Sequence, residues 1–370
     1  MKLKIKKDIL LSNLNYVARA VSTKNVIPVS AGIKFTLNEN GLYLEASDES
    51  IVIKTFIDKS NIQEINETGS IVIPGRYILD ITRKIPHEII NLETDGLKIL
   101  ITTPSSEYNL NGIDATEFPD YNLDLIKTPI ILEQKHLLNI INQTSFAASM
   151  QESRPILTGI NIKIDGDILE AVATDSYRLA VKKINLDNSI NDNIDIVIPK
   201  SSLIELSKLL NEDEKIELHI FNNKIIFKFD NLLFQSRLLN GTFPNISTLI
   251  PTEHNIEVIV NLDELYNIID RTSLLSDTDK NIIQMKITNN ELITSCDTLQ
   301  VGKVEERIIV EKNNNNNLKI SFNARFMMEA LKSFQSEKIK MLLINETKQF
   351  IIKALNDESL IQLIVPVRTY

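Results

Sequence analysis

The sequence predicts an α+β protein made of three tandem copies of one unit, and three observations carry that expectation. The first is a repeated string. Ile71-Val72-Ile73-Pro74, followed by Ile78, Leu79, Asp80 and Arg83, returns as Ile196-Val197-Ile198-Pro199 with Ile204, Glu205 and Lys208. It returns again as Ile320-Ser321-Phe322-Asn323 with Met328, Glu329 and Lys332. The steps are 125 and 124 residues, and self-similarity at a fixed period outranks any local reading of the chain. The second observation is an amphipathic helix at the start of each copy. The third is a set of short alternating runs after each helix, segregated from the helices rather than interleaved as βαβ units.

The opening helices are read from apolar spacing. The first covers about Asp8 to Val21, with Ile9, Leu10, Leu14 and Val17 on one face. The second covers about Glu133 to Ala148, with Leu137, Leu138, Ile141 and Phe146. The third starts near Leu262 and uses Leu265, Ile268, Ile269 and Leu274. In the first copy, strands follow at 33–37, 42–45 and 51–54, with Asn40-Gly41 as the turn between the first two. A second helix follows the Pro74-type string, and then further strands, of which 97–101 and 107–110 are the clearest. Each copy is therefore two halves of one plan: strand, helix, three strands. Polar loops near Pro129 and Pro251 set the expected domains at 1–127, 128–254 and 255–370.

Bulk properties restrict function. The chain has 370 residues, 43% apolar and 24% charged, as expected of a globular protein with more than one core. Cys296 is the single cysteine, which excludes an intramolecular disulfide framework and favours a reducing compartment. Lysines precede apolar residues at the start, but Asp8, Ser12, Asn13 and Asn15 interrupt any signal-like core. No apolar run approaches the ~18 residues of a membrane span, so no membrane is expected and the cytoplasm is the expected location. The run Asn313 to Asn317 reads as a solvated loop.

A search for chemistry finds little. There is no GxxxxGK[ST] and no GxGxxG, and ten glycines leave scant material for either. His87, His136, His219 and His254 lie far apart, and none has HExxH spacing. No metal or cofactor is expected. Asp48, Asp175 and Asp297 share one place in the three copies, expected to be a turn between strands. A residue present in every copy reads as structural. Tyr177-Arg178-Leu179 occurs in the middle copy alone, so either Asp175 and Arg178 hold a turn or something specific to that copy binds there. Each second helix also carries an acid three residues before a base: Asp80 and Arg83, Glu205 and Lys208, Glu329 and Lys332. These are either local pairs or bases turned toward one shared anion.

The string Ala173-Thr174-Asp175-Ser176-Tyr177-Arg178-Leu179-Ala180-Val181, with 154–159 (RPILTG), 241–244 (GTFP) and 364–368 (IVPVR), resembles the bacterial replicative sliding clamp, the beta subunit of DNA polymerase III. The resemblance covers the whole chain. It implies three tandem DNA-clamp domains, helices lining a ring and sheets outside. It also implies a head-to-tail homodimer around double-stranded DNA, with no catalytic residue. Partners implied are the DNA polymerase III alpha subunit, the clamp loader, and other polymerases and repair proteins carrying short peptide motifs. The alternatives are an interaction scaffold of the same fold that does not encircle DNA and, more distantly, a hydrolase.

Carried over by residue match, the partner-peptide pocket is Leu157, Thr174, Ser176, Tyr177, Arg178, Leu179, Pro244, Thr248, Leu249, Leu363, Val365, Pro366, Val367 and Arg368. Ser176 and Tyr177 stand where Gly-His is often found, and Thr248 stands where a base can occur, which leaves peptide preference open. Lys24 and Gln151 match DNA-proximal residues of the family. Helix charge adds Arg76, Arg83, Lys84, Lys200, Lys208, Arg325 and Lys332. The matching dimer residues are Tyr108 and Leu110 in copy one and Leu274 and Leu275 in copy three. A net charge of −9 opposes DNA binding only if charge is evenly spread. The six predicted helix segments together carry +3 and the remainder −12, the segregation a DNA-lined hole needs.

Overall fold

The structure, a computed structural model, describes residues 1–22, 28–126, 128–277, 280–298, 301–314 and 316–368. The half-unit plan recurs along the chain. β1 (Lys2–Lys6) enters α1 (Lys7–Val17), then β2 (Gly32–Asn38), β3 (Gly41–Ser47), β4 (Ile51–Asp58) and a short β5 (Ile62–Glu67). β6 (Gly69–Pro74) enters α2 (Gly75–Lys84), then β7 (Ile89–Asp95), β8 (Lys98–Thr103) and β9 (Ser106–Asn111). The middle copy opens with β10 (Ile130–Glu133) and α3 (Gln134–Thr144). Its next strands merge into a long hairpin, β11 (Gly159–Thr174) and β12 (Arg178–Pro199), followed by α4 (Lys200–Ser207), β13 (Lys215–Ile220), β14 (Lys224–Phe229) and β15 (Leu232–Arg237). The last copy runs β16 (Ile256–Asn261), α5 (Leu262–Ser273), β17 (Ile282–Ile287), β18 (Glu291–Thr298), β19 (Gly302–Ile309) and β20 (Glu311–Lys312). It ends with β21 (Leu318–Asn323), α6 (Ala324–Leu331), β22 (Lys338–Leu343), β23 (Phe350–Ala354) and β24 (Leu360–Ile364).

Two compact units divide these elements: residues 1–135 with 205–238, and residues 136–204 with 239–370. The first unit holds a five-stranded sheet, β5-β1-β7-β8-β9, and an eight-stranded sheet, β10-β13-β14-β15-β4-β3-β2-β6. The second holds a seven-stranded sheet, β11-β12-β24-β23-β22-β16-β20, and a four-stranded one, β19-β18-β17-β21. Strands of the middle copy thus join both neighbours: β15 pairs with β4, and β12 with β24. Every named strand pair is antiparallel, so short hairpins suffice as connections.

Alternation along the strands fills the layer between sheet and helix. In the first unit Phe35, Phe227 and Phe234 are fully buried, the last two edge-to-face at 6.2 Å. In the second unit Phe322 and Phe350 play the same part at 5.8 Å. The Asn40-Gly41 turn forms as expected: Asn38 Oδ1 accepts from both amides, and Gly41 takes φ +149° with the Ile57 carbonyl too close to admit a Cβ.

The repeated string marks where a strand turns into a helix, and the copies solve that start differently. Pro74 precedes α2 and offers no side-chain cap. Asn323 at the same place before α6 accepts from the Phe326 amide at 3.0 Å, and Asn261 caps α5 through Glu264. The third aspartate departs from expectation. Asp48 and Asp175 do sit in turns, but Asp297 lies inside β18, opposite Lys303 of β19.

Candidate partner pocket and candidate DNA-facing helices

The segment 174–179 joins β11 to β12, and its side chains build the turn. Asp175 Oδ1 accepts from the amides of Tyr177 and Arg178, both at 3.0 Å. Thr174 Oγ1 donates to the Arg178 carbonyl at 2.6 Å and accepts from the Ser176 amide at 3.1 Å. This holds Ser176 at φ +77°, a left-handed conformation that costs an L-residue about 1–2 kcal/mol. Glycine would take it freely.

Arg178 is a junction. Its Nε donates to Asp175 at 2.9 Å, one terminal nitrogen to the Phe146 carbonyl at 2.7 Å, and the other to Glu329 of α6. The guanidinium also lies over the rings of Phe326, 4.4 Å away, and Phe146, 5.3 Å away. So the Asp175–Arg178 pair expected from spacing is present, and Arg178 is committed to its own unit rather than extended into solvent.

Three other sequence-derived residues meet at this turn. Leu179 pairs with Leu363 across β12 and β24, and both are buried with Leu157, Phe243, Ile246 and Ile351 in one apolar cluster. Past β24 the chain stays bonded: the Val365 amide donates to the Tyr177 carbonyl at 2.9 Å, and the Val367 amide to Ser321 at 2.8 Å. Beside these buried residues Tyr177, Leu249 and Val365 are large apolar side chains exposed at 63%, 44% and 38%, the Tyr177 ring stacked 6.5 Å from that of Phe326. Pro244, Thr248 and Arg368 are exposed, and Pro366 and Val367 half-buried. Sequence reasoning did not assign Phe146, Phe326 or Glu329 to this site. Glu329 carried a signal in its repeat position and Phe146 in the apolar spacing of its helix; Phe326 carried none.

The helix pairs divide. In α2 Asp80 lies 3.8 Å from Arg83 and 4.0 Å from Arg76, and after α4 Lys208 reaches Glu205 at 2.6 Å. In α6 the expected pair is absent. Glu329 binds Arg178 and Arg325 instead, and Lys332 sits over the Tyr266 ring at 5.3 Å. Burial works to raise the Glu329 carboxyl, but hydrogen bonds from Arg178 and Arg325 outweigh it and hold the group below its ordinary range. Lys200 is half-buried at this cluster rather than free. Burial, then repulsion from Arg178, lowers its ammonium below the ordinary lysine value.

Among the other candidates, Arg76, Arg83 and Lys84 are exposed on α2, and Gln151, Arg325 and Lys332 are exposed in the second unit. Lys24 lies outside the described residues. Tyr108 and Leu110 are half-buried on β9, the outer strand of the five-stranded sheet. Leu274, just past α5, is 77% exposed, and Leu275 is half-buried. The outer strand β19, which ends in Ile309 at 81% exposure, was not singled out from sequence. Among the described residues, no group of three or more His, Cys, Asp or Glu side chains could hold a metal ion. No helix among them is long and apolar enough to cross a membrane.

Comparison with known proteins matches this threefold α+β repeat along the whole length. Residues 1–124 match the N-terminal domain of the DNA polymerase III beta subunit, 131–245 its central domain and 247–368 its C-terminal domain. The beta sliding clamps of Staphylococcus epidermidis and Staphylococcus aureus are 38% and 36% identical to the chain, with 100% of each covered. The crystal structure of the DNA polymerase sliding clamp from Bacillus subtilis superposes at a TM-score of 0.96 with 36% identity, and that of the beta subunit from Streptococcus pyogenes at 0.94 with 33%, again over all of both chains. The chain belongs to the DNA polymerase III beta subunit family, the bacterial sliding clamps, whose members are not themselves catalysts.

Proposed function

We propose that this chain is a replicative sliding clamp that closes with a second copy into a ring around duplex DNA. The observation that carries this reading is the full-length threefold repeat, with β9 in the first copy and β19 in the last among the outer strands of its sheets. Joined across copies, these two edges would extend both their sheets and cover the strand backbones they expose. On this reading Tyr108, Leu110, Leu274 and Leu275 lie at the join, and the domains are 1–127, 128–254 and 255–370.

Processivity then comes from topology. A polymerase tethered to a ring stays at high effective concentration near the primer end after each release. The ring needs non-specific phosphate contacts that let it slide, and Arg76, Arg83, Lys84, Lys208, Arg325, Lys332, Lys24 and Gln151 are the candidates. Lys200 is the weakest of that set, since it sits within the cluster around Arg178.

The groove over Leu157, Leu179 and Leu363 receives an extended peptide with an apolar end, and Tyr177, Leu249 and Val365 form its rim. The DNA polymerase III alpha subunit, the clamp loader, and other polymerases and repair proteins would dock there in turn, in the cytoplasm. The test is to load the protein with its loader onto closed circular DNA and then cut the circle. Retention on the circle and loss from the linear product are expected. Equal retention on both, or none on the circle, would favour a scaffold of the same fold that does not encircle DNA.

A further inference from the structure

In two of the three second helices the repeated acid pairs with the base three residues on, as Asp80 with Arg83 and Glu205 with Lys208, and Glu205 also reaches Arg19 at 3.4 Å. In α6 that pair is missing, although Lys332 stands three residues on, and Glu329 takes Arg325, four residues earlier, as its partner within the helix. Its other oxygen crosses to Arg178, 151 residues away in sequence. A local pair would be worth a few tenths of a kcal/mol to the helix, about 0.2–0.5. The departure needs a reason outside the helix.

The reason lies in what Arg178 holds. Its amide and its carbonyl close the 174–178 turn, through Asp175 and Thr174. Its residue pair across the sheet is Ile364, and the next strand bond is Val365 to the Tyr177 carbonyl. A shift of Arg178 therefore moves two walls of the groove together, Tyr177–Leu179 and 363–365. Three anchors fix its side chain: Asp175 within the same turn, the Phe146 carbonyl after α3, and Glu329 on α6. Among the described residues, Glu329 is the sole charged anchor that comes from another element.

Charge sharpens the point. Lys200 and Arg325 act on the same cluster, so Arg178, Lys200 and Arg325 face two carboxylates, Asp175 and Glu329. Neutralising Glu329 leaves three cations against one anion around a largely buried guanidinium, and an unbalanced buried charge is costly.

We propose that Glu329 is a positioning residue of the partner groove, acting through Arg178 to set the spacing of its two walls. This rests on the peptide-binding reading above. The probe is a fluorescently labelled five-residue peptide with leucine and phenylalanine at its C-terminal end, titrated against the full-length protein. Glu329→Gln is expected to weaken binding about ten-fold, the scale of one charge-assisted hydrogen bond. Glu329→Asp, with the charge kept but withdrawn by one methylene, should recover part of the loss. Glu205→Gln, the same change in the preceding copy, should leave affinity unchanged.

A cycle with Arg178→Gln separates positioning from general stability. If Glu329 acts through Arg178, the double variant binds no more weakly than Arg178→Gln alone; additive losses overturn the inference. So does undiminished binding by folded Glu329→Gln. Should that variant fail to fold, Glu329→Asp carries the test, and binding by it equal to the parent overturns the inference. If the parent protein itself does not bind the peptide, the groove assignment fails, and this inference with it.

Discussion

A carboxylate between two lysines shows how a single residue can couple stability to acid. Glu358 accepts from Lys340 at 2.8 Å and from Lys353, and these two hydrogen bonds, in that order, lower its pKa from 4.5 to about 2. A depressed folded-state pKa contributes stability that is complete above the unfolded value and disappears as pH falls through the folded one. The side chain is 64% exposed, so solvent screening cuts the contribution to about 0.5–1 kcal/mol. Urea unfolding of Glu358→Gln at pH 7 should show a loss of that size, shrinking between pH 4.5 and about 2. The same scale sets the limit of sequence reading. Asp175 and Arg178 are three residues apart, and their pairing was legible. Phe146, Phe326 and Glu329 meet Arg178 from 32 to 151 residues away, and nothing in local spacing reports such a meeting.

Helices and hairpins were the most legible part of the molecule, because apolar period and turn residues act over a few positions. α1, α3 and α5 begin within a residue of where spacing put them. Their ends run shorter than expected, since three-residue 3-10 turns, 18–20 and 145–147, finish α1 and α3. The merging of strands into the long β11–β12 hairpin was not legible, because pairing between distant segments decides it. Edges belong to this scale as well. Along β19 Lys303, Glu305, Arg307 and Ile309 are exposed, while β9 keeps Tyr108 and Leu110 half-buried. If these edges join two copies, a charge placed among the apolar residues should split them. Leu110→Lys and Leu274→Asp are each expected to weaken the dimer at least ten-fold, the cost of one unpaired charge in an interface. Light scattering after size exclusion should show monomers, with circular dichroism unchanged. A persistent dimer in both variants would place the join elsewhere.

At the level of the whole molecule, the groove uses the turn of the middle copy and the segment after β24 of the last. Removing 365–370 deletes the strand bond to Tyr177 and the exposed Val365 together. Peptide binding should be abolished while the dimer remains, as equilibrium titration and light scattering would show. Normal binding by the folded, shortened chain would disprove the groove. The repeat that announced the fold was legible end to end. Its sheet partners were not, since the period says how many copies exist and not which strands they exchange.

That exchange bears on how such a protein can change over generations. Copying a gene segment yields modules that could at first be swapped, lost or reordered. Here β4 lies beside β15 and β12 beside β24, so the eight-stranded and seven-stranded sheets each draw on two copies. Excising the middle copy would strip both neighbours of paired strands and bare their backbones. The repeated segment is therefore not the block that folds, and recombination at the repeat boundaries would leave paired strands without their partners.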